Sequence, residues 1–241
     1  MPRFYVDTLL NVGDEVSLPS DVVRHIIVLR LKLEQEIILF NNDGHDYHAK
    51  IVELGRREAL VVVTNKVKNQ TEANFIITLM ISLISNDKLE LVIQKAVELG
   101  VQRIIPVITE KTQRIKAERE ASKLEHWRKI IIAASEQCGR AKLATVSEIK
   151  EFATVIDEDK SEINYILSPH HAASKLGKVN NAQSISLLIG PEGGLTEHEI
   201  RVANAAGFQN LNLGKRILRA ETAAVAGISF LHCNFGDFKI V

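Results

Sequence analysis

The residues best suited to chemistry in this chain lie in two glycine-containing loops near its carboxyl end. The first, GPEGG at 190–194, follows an apolar run and precedes a helix start at Thr196. Its three glycines allow positive φ angles and close approach of the backbone to a ligand, while Pro191 stiffens the turn. The second, LGKRILR at 213–219, leads into a helix of small residues. Both loops follow the order strand, glycine loop, helix, which indicates a ligand site built largely from backbone.

Neither loop matches a well-known nucleotide fingerprint. The chain has no G-x-x-x-x-G-K-[ST] phosphate loop and no G-x-G-x-x-G dinucleotide loop at these positions. A phosphate cradle is therefore disfavoured. Taken alone, GPEGG is equally explained as a tight turn between a strand and a helix.

The composition is that of an ordinary globular protein. Hydrophobic residues make up 46% and charged residues 25% of the 241 residues, which leaves ample material for a core. No apolar run approaches the roughly eighteen residues of a membrane span, and the first residues carry no cleavage signature. Cys138 and Cys233 stand outside any metal-binding spacing. We therefore expect a cytoplasmic protein with reduced thiols.

The formal charges balance, with 30 basic and 30 acidic residues. The chain thus lacks the overall positive charge common in proteins that bind nucleic acid tightly. A local basic surface is still possible, and the segment 111–123 is the best candidate. Its basic residues alternate with glutamates, so a solvated surface explains the pattern as well.

Two domains are predicted on either side of a polar linker at 66–72. Residues 1–70 read as short strands with frequent turns, interrupted by one helix at about 20–29, which predicts a small β-barrel. Residues 74–241 alternate between apolar strands and amphipathic helices, and the run 75–84 is almost continuously apolar. That pattern predicts an α/β domain with a mostly parallel sheet covered on both faces. Pro106 should occupy an edge or irregular position in its strand.

The two glycine loops together resemble a known family. GPEGG at 190–194 and LGKRILRAETA at 213–223 are similar to the motif pair of the ribosomal RNA small-subunit methyltransferase E family. The resemblance runs from Pro2 to about Leu231 and includes QKAVELG at 94–100 and EQCGR at 136–140. The chain departs from the family pattern modestly, at 85–88, 112–114 and 142–143.

The resemblance implies a fold and an activity. These enzymes are of the SPOUT class, with a PUA-like barrel before an α/β domain that is knotted as a trefoil around residues 217–222. They methylate N3 of a uridine in 16S ribosomal RNA with S-adenosylmethionine. By analogy, the cofactor pocket combines one strand end with the two loops and takes Leu167, Ile189, Gly190, Glu192, Gly194, Leu213, Gly214, Arg216, Ile217 and Leu218.

Catalysis would require alignment of the methyl group and loss of the N3 proton. Positive charge should stabilise the uracil anion as it forms. The candidates are Arg114, Arg140, Arg216 and Arg219, each of which is also explained as a phosphate contact or a surface ion pair. Glu192 is a candidate general base, although it is equally suited to orienting an arginine or capping a helix.

The resemblance also assigns the amino-terminal domain to RNA binding, through Arg3, Arg24, His25 and Arg30. A metal site is not expected, because His170 and His171 have no further ligands nearby in sequence. The substrate would be 16S ribosomal RNA or the small ribosomal subunit. Two alternatives stay open, a ribose 2′-O-methyltransferase of the same fold class and a non-catalytic RNA-binding module.

A homodimer is predicted from the last helix. Residues 220–231 are small or apolar on most sides, and a helix of that kind must be buried on most sides. Packing within the chain is the alternative. In the dimers that the resemblance implies, the cofactor pockets lie beside the twofold interface, where Arg114 or Arg140 of one subunit would reach the other's site.

Overall fold

A computed structural model describes residues 1–112, 116–168, 182–236 and 238 of the chain. The chain forms two compact units. The first contains Met1–Glu72 and Ile132–Leu143, and the second contains Ala73–Ile131 and Ala144–Val241. The domain bounds 1–70 and 74–241 stay a prediction. No sequence pattern indicated that residues 132–143 belong to the first unit.

The first unit is built on a five-stranded sheet. Its strands are β1 (Arg3–Tyr5), β2 (Glu15–Ser17), β3 (Glu36–Phe40), β4 (His45–Leu54) and β5 (Ala59–Lys68), in the order β1-β3-β4-β5-β2. β1 runs parallel to β3, and the other pairs are antiparallel. Alternate residues of β4 are buried, as in Tyr47, Ala49 and Ile51, which is the period expected of a strand with one covered face.

One helix, α1 (Ser20–Val28), packs against this sheet through Val22, Val23 and Ile26. The sequence predicted this helix at about 20–29, and in the structure it begins at Ser20, after Pro19. Pro19 suits the entry because its fixed φ of −57° is compatible with the first turn.

Residues 132–143 also belong to the first unit, where one of them forms a hydrogen bond with the edge strand β1. Glu136 Oε1 accepts a hydrogen bond from the backbone N–H of Tyr5 at 3.0 Å, so one donor of the exposed edge is paired. Burial raises the pKa of the Glu136 carboxyl, although the Tyr5 N–H favours its charged form. Arg140 is buried at 3% exposure and forms two hydrogen bonds with Glu72, from Nε at 2.9 Å and Nη2 at 2.8 Å.

The second unit is a parallel sheet with helices, as the sequence predicted. Its strands are β6 (Ile76–Ser82), β7 (Arg103–Ile108), β8 (Thr145–Val146), β9 (Lys150–Glu151), β10 (Ile163–Leu167), β11 (Ser184–Ile189) and β12 (Gln209–Leu211). Their order is β12-β10-β11-β6-β7-β8, with β9 also paired to β7, and every pair is parallel. The trefoil knot implied by the resemblance stays a prediction.

The remaining helices are α2 (Asn86–Glu98), α3 (Glu120–Cys138), α4 (Phe152–Glu158), α5 (Glu197–Ala205) and α6 (Ala220–Phe235), with a 3₁₀ turn at Ala117–Arg119. Within the described ranges, no helix is long and apolar enough to cross a membrane.

Pro106 lies in the part of β7 that pairs with a neighbouring strand on one side only. On one side β7 pairs with β6 along its length, and on the other it pairs with β8 at Arg103–Ile104 and with β9 at Val107–Ile108. The break falls at Ile105 and Pro106. This is the irregular position that the sequence predicted, because proline has no N–H to donate to a neighbouring strand.

The order of the strands decides where a ligand site can form. β11 and β12 both pair with β10 in parallel, so their carboxyl ends lie at the same edge of the sheet. The loop at 190–194 follows β11, and the loop at 212–219 follows β12. Crevices at the carboxyl ends of parallel strands are the usual ligand sites of α/β sheets.

We predict that Glu72→Ala lowers the free energy of unfolding of the first unit by about 2–3 kcal/mol. The variant leaves the buried Arg140 guanidinium without its charged partner, and breaking such a pair from one side is costly. Glu34→Ala is the matched control, because the Glu34–Lys50 pair is exposed and should contribute less than about 1 kcal/mol. Urea denaturation of both variants measures the difference, and equal effects would contradict a structural role for the Arg140 pair.

Candidate functional site

The two glycine loops enclose one cavity. Its volume is about 710 Å³, within the range of roughly 300–1,000 Å³ typical of small-molecule sites. All ten residues that the sequence assigned to cofactor binding line it: Leu167, Ile189, Gly190, Glu192, Gly194, Leu213, Gly214, Arg216, Ile217 and Leu218. The sequence argument missed other lining residues, among them Lys111, Ser168, Thr196, Glu197, Ala220 and Ala223.

Two glycines of the first loop are required for different reasons. An added Cβ at Gly190 would lie 2.8 Å from Leu195 Cγ and 3.0 Å from its backbone nitrogen, so the chain itself leaves no room for a side chain. Gly194 has a φ of +66°, which L-residues rarely adopt, and no atom lies within 4 Å of its added Cβ. Its N–H donates to Pro191 O at 2.8 Å and closes the turn. The open space beside Gly194 belongs to the cavity.

The second loop is shaped by a similar turn. Gly214 has a φ of +100°, and its N–H donates to Asn212 Oδ1 at 2.8 Å. Ile217, which follows in this loop, is 74% exposed although it is apolar. An exposed isoleucine on a cavity wall is suited to covering a flat apolar ligand such as a purine ring. Leu167, at the end of β10, lines the same cavity.

Helix α5 begins at the cavity, at the helix start that the sequence predicted, and it carries a capping box. The Thr196 hydroxyl accepts a hydrogen bond from Glu199 N at 3.2 Å, and Glu199 Oε2 accepts one from Thr196 N at 2.8 Å. These two bonds satisfy backbone donors that would otherwise lack partners at a helix start. They also fix the end of the first glycine loop.

Glu192 of that loop is anchored to the start of α2. Its Oε1 accepts hydrogen bonds from Lys88 Nζ at 3.2 Å and from Ser85 N at 3.5 Å. It therefore lies at the N-terminus of α2, where the helix dipole favours a negative charge, whereas the sequence considered the helix that follows it. Burial works to raise the pKa of Glu192, but hydrogen bonds from its own backbone, Lys88 and Ser85 outweigh that effect and lower the pKa below its usual range.

The arginines proposed for catalysis lie in different parts of the structure. Arg216 and Arg219 are exposed and line the cavity. Arg140 belongs to the first unit and its guanidinium is buried against Glu72, so this arrangement does not support a direct role in stabilising a substrate anion. Charge alone suggested Arg140 in the sequence, and its partner 68 residues away could not be seen there. Arg114 lies outside the described residues.

The residues of the first unit that were expected to contact RNA differ in their exposure. Arg3 is held by Asp46 through two hydrogen bonds of 2.8 and 2.9 Å and has a side chain only 11% exposed, an arrangement that does not support a direct RNA contact. Arg24, His25 and Arg30 are exposed on or beside α1.

The described residues include no group of three or more His, Cys, Asp or Glu side chains arranged to hold a metal ion. His170 and His171 fall outside those residues.

The cavity suits S-adenosylmethionine in its chemistry. That cofactor combines a flat purine, a ribose and a positively charged methionine group. Apolar walls from Leu167 and Ile217 suit the purine, the space beside Gly194 and Gly214 leaves room for a ligand, and the carboxylate of Glu197 suits a cation.

Comparison with known proteins gives the same assignment. Residues 71–232 match the family model of an RNA methyltransferase domain, and residues 18–64 match that of an RNA methyltransferase PUA domain. The ribosomal RNA small subunit methyltransferase E of Buchnera aphidicola subsp. Schizaphis graminum is 31% identical over 99% of this chain and 98% of its own length.

Two solved structures are also similar over nearly their full lengths. The ribosomal RNA small subunit methyltransferase E of Neisseria gonorrhoeae, bound to S-adenosylmethionine, has a TM-score of 0.92 and 38% identity, covering 99% of this chain and 100% of that one. A Legionella pneumophila protein in complex with the same cofactor has a TM-score of 0.93 and 33% identity, covering 98% of both chains. These similarities, together with the cavity between the two glycine loops, show that the chain belongs to the ribosomal RNA small subunit methyltransferase E family.

Proposed function

We propose that this protein transfers a methyl group from S-adenosylmethionine to small-subunit ribosomal RNA, with N3 of a uridine in 16S ribosomal RNA as the acceptor. The observation that carries the proposal is the single cavity lined by both glycine loops and by the end of β10. Relatives similar over nearly the whole chain are named for this activity, and one of them was solved with the cofactor. The position on the base comes from the family resemblance.

The cofactor supplies a methyl group activated by a sulfonium, so the protein needs no nucleophile of its own. In this proposal, the ten cavity residues named from the sequence bind the cofactor, mostly through backbone. Arg216 and Arg219 lie on the same cavity and carry the positive charge that a uracil anion would need. Their exposure leaves them accessible to a nucleotide entering from solvent.

Glu192 is better suited to holding its loop than to removing the N3 proton. Its lowered pKa makes it a weak base, and efficient proton transfer favours a base whose pKa lies near the working pH. Its contact with Lys88 also directs one carboxylate oxygen towards α2. We therefore propose that arginine stabilises the uracil anion while the N3 proton is released to water, and that a carboxylate base contributes less.

We further propose that the first unit contacts the RNA through Arg24, His25 and Arg30. These side chains are exposed on one region of a unit that matches an RNA methyltransferase PUA domain. Phosphate contacts of this kind position a nucleic acid without reading its sequence. A cytoplasmic location follows from a ribosomal substrate and is part of the proposal.

A homodimer is supported by the residues of α6 that packing within the chain leaves exposed. Within the chain, α6 packs against α2 and β11 and buries Ala224, Ile228 and Leu231. Packing within the chain thus accounts for one side of the helix. Val225 is 38% exposed, and Thr222 and Cys233 are exposed on the same side at helical spacing. We propose that this strip lies in a homodimer interface, as the family resemblance implies.

Cofactor binding should be lost in Gly194→Val. A β-branched side chain at a φ of +66° is strained and enters the open space of the cavity. Gly207→Val is the matched control, because Gly207 has a φ of +98° and open surroundings but does not line the cavity. Calorimetry with S-adenosylhomocysteine should show saturable binding by the wild type and Gly207→Val only. Absence of binding by the folded wild type would remove the enzyme proposal and leave the RNA-binding module.

Small-subunit ribosomal RNA treated with this protein and S-adenosylmethionine should contain 3-methyluridine. The rRNA would be digested to nucleosides and measured by mass spectrometry, with naked 16S RNA and intact small subunits as separate substrates. Arg219→Ala should form product about a hundredfold more slowly while still binding S-adenosylhomocysteine, since loss of one group that stabilises developing negative charge costs about that factor. A 2′-O-methylated nucleoside instead of 3-methyluridine would favour the runner-up activity.

Analytical ultracentrifugation at micromolar concentration should show a dimer of the 26.8 kDa chain. Val225→Glu should shift it towards monomer, since a charge in the centre of an apolar interface is not compensated. Glu125→Lys on α3 is a control for charge change at an exposed position. A wild-type monomer with full methyl-transfer activity would show that neither the dimer nor a shared site exists.

A further inference from the structure

Gly190 and Gly194 are required by the first loop itself, but Gly193 is not. Gly193 does not have a φ in the left-handed region, and an added Cβ would not meet Leu195. That Cβ would instead lie 3.2 Å from Lys111 Cδ and 3.6 Å from Lys111 Cβ. Gly193 is therefore small because the aliphatic chain of Lys111 lies across it.

Lys111 also makes a directed bond to the same residue. Its Nζ donates a hydrogen bond to Gly193 O at 2.8 Å. The lysine thus contacts Gly193 twice, once through its methylenes and once through its ammonium group. Lys111 itself lines the cavity.

The segment that carries Lys111 is rigid enough to act as a support. Thr112 N donates to Thr109 O at 3.0 Å, and the two threonine hydroxyls lie 2.6 Å apart. Next to Lys111, the N–H of Glu110 donates to Glu199 Oε1 at 2.8 Å. Glu199 is only 2% exposed, and its other oxygen holds Thr196. The turn after β7 is therefore fixed to both ends of the loop segment 193–196.

We propose that Lys111 is a positioning residue of the methyl-transfer site, which holds the first glycine loop in its cofactor-binding shape by clamping Gly193. The proposal rests on the proposed function, because the shape matters only if this loop binds the cofactor. Lys111 acts through Gly193 and needs no contact with the reacting atoms. The pairing of a long side chain with a glycine also explains why the loop has three glycines when its own backbone requires two.

The test compares four proteins by calorimetry with S-adenosylhomocysteine: the wild type, Lys111→Met, Lys111→Arg and Lys129→Met. Lys111→Met should bind about fivefold more weakly, the effect expected when a hydrogen bond from an exposed charged donor is lost. Lys111→Arg should restore binding to within about twofold, because its guanidinium can reach the same carbonyl. Lys129→Met removes an equivalent lysine from an exposed pair with Glu125 and should bind like the wild type.

A double-mutant cycle identifies the contact. Gly193→Ala alone should weaken binding of S-adenosylhomocysteine by displacing the Lys111 side chain. The double variant, Gly193→Ala with Lys111→Met, should bind no more weakly than whichever single variant has the lower affinity. Such non-additivity is expected only of residues that act on each other. Strictly additive effects would overturn the proposal.

Hydrogen exchange provides a readout without cofactor. In Lys111→Met, the amides of residues 192–196 should exchange faster while those of β6 and β11 keep their protection, since only a local opening is involved. This measurement decides the matter even if Lys111→Met has a lower melting temperature. If the wild type binds S-adenosylhomocysteine and Lys111→Met matches it in both affinity and exchange, the positioning role is wrong and the proposed function stands. If the wild type does not bind, both fail.

Discussion

The site depends on the parallel pairing of β11 and β12 with β10. Because all three strands point the same way, the segments that follow them must leave the sheet at one edge. Residues from 167, 190–194 and 213–218, which are far apart in the chain, thereby line a single cavity. No side chain could bring them together if one of these strands ran the other way. The chemistry of the protein is thus fixed first by backbone hydrogen bonds in the sheet.

This constraint also explains which parts could be predicted from the sequence. The apolar runs, turn residues and capping box are local signals, and they place the strands, the helices and both glycine loops close to where the structure has them. The ten lining residues were named from the family resemblance, and the parallel strands explain why they lie together. A strand as short as β9, with two residues, has no periodicity to detect, and it is recognised only by its pairing with β7.

Long-range partners could not be predicted. Arg140 was proposed for catalysis on its charge and Arg3 for RNA binding on the family resemblance, yet each is held by a carboxylate distant in sequence, Glu72 or Asp46. A charged residue next to a motif looks the same whether its partner is a ligand or another part of the chain. The return of 132–143 to the first unit has the same origin, since it depends on Glu136 meeting the edge of β1.

The first glycine loop is held at three successive residues. Glu192 is held by Lys88 and Ser85, Gly193 by Lys111, and Gly194 by the turn bond to Pro191. These partners come from the segments after β6 and β7 and from the loop itself, so the loop has a defined shape before a ligand binds. A loop fixed in this way loses little conformational entropy when a ligand binds, and preorganisation of that kind adds affinity without any new contact. Lysines outside the cofactor motifs therefore belong to the binding site as much as the glycines that identify it.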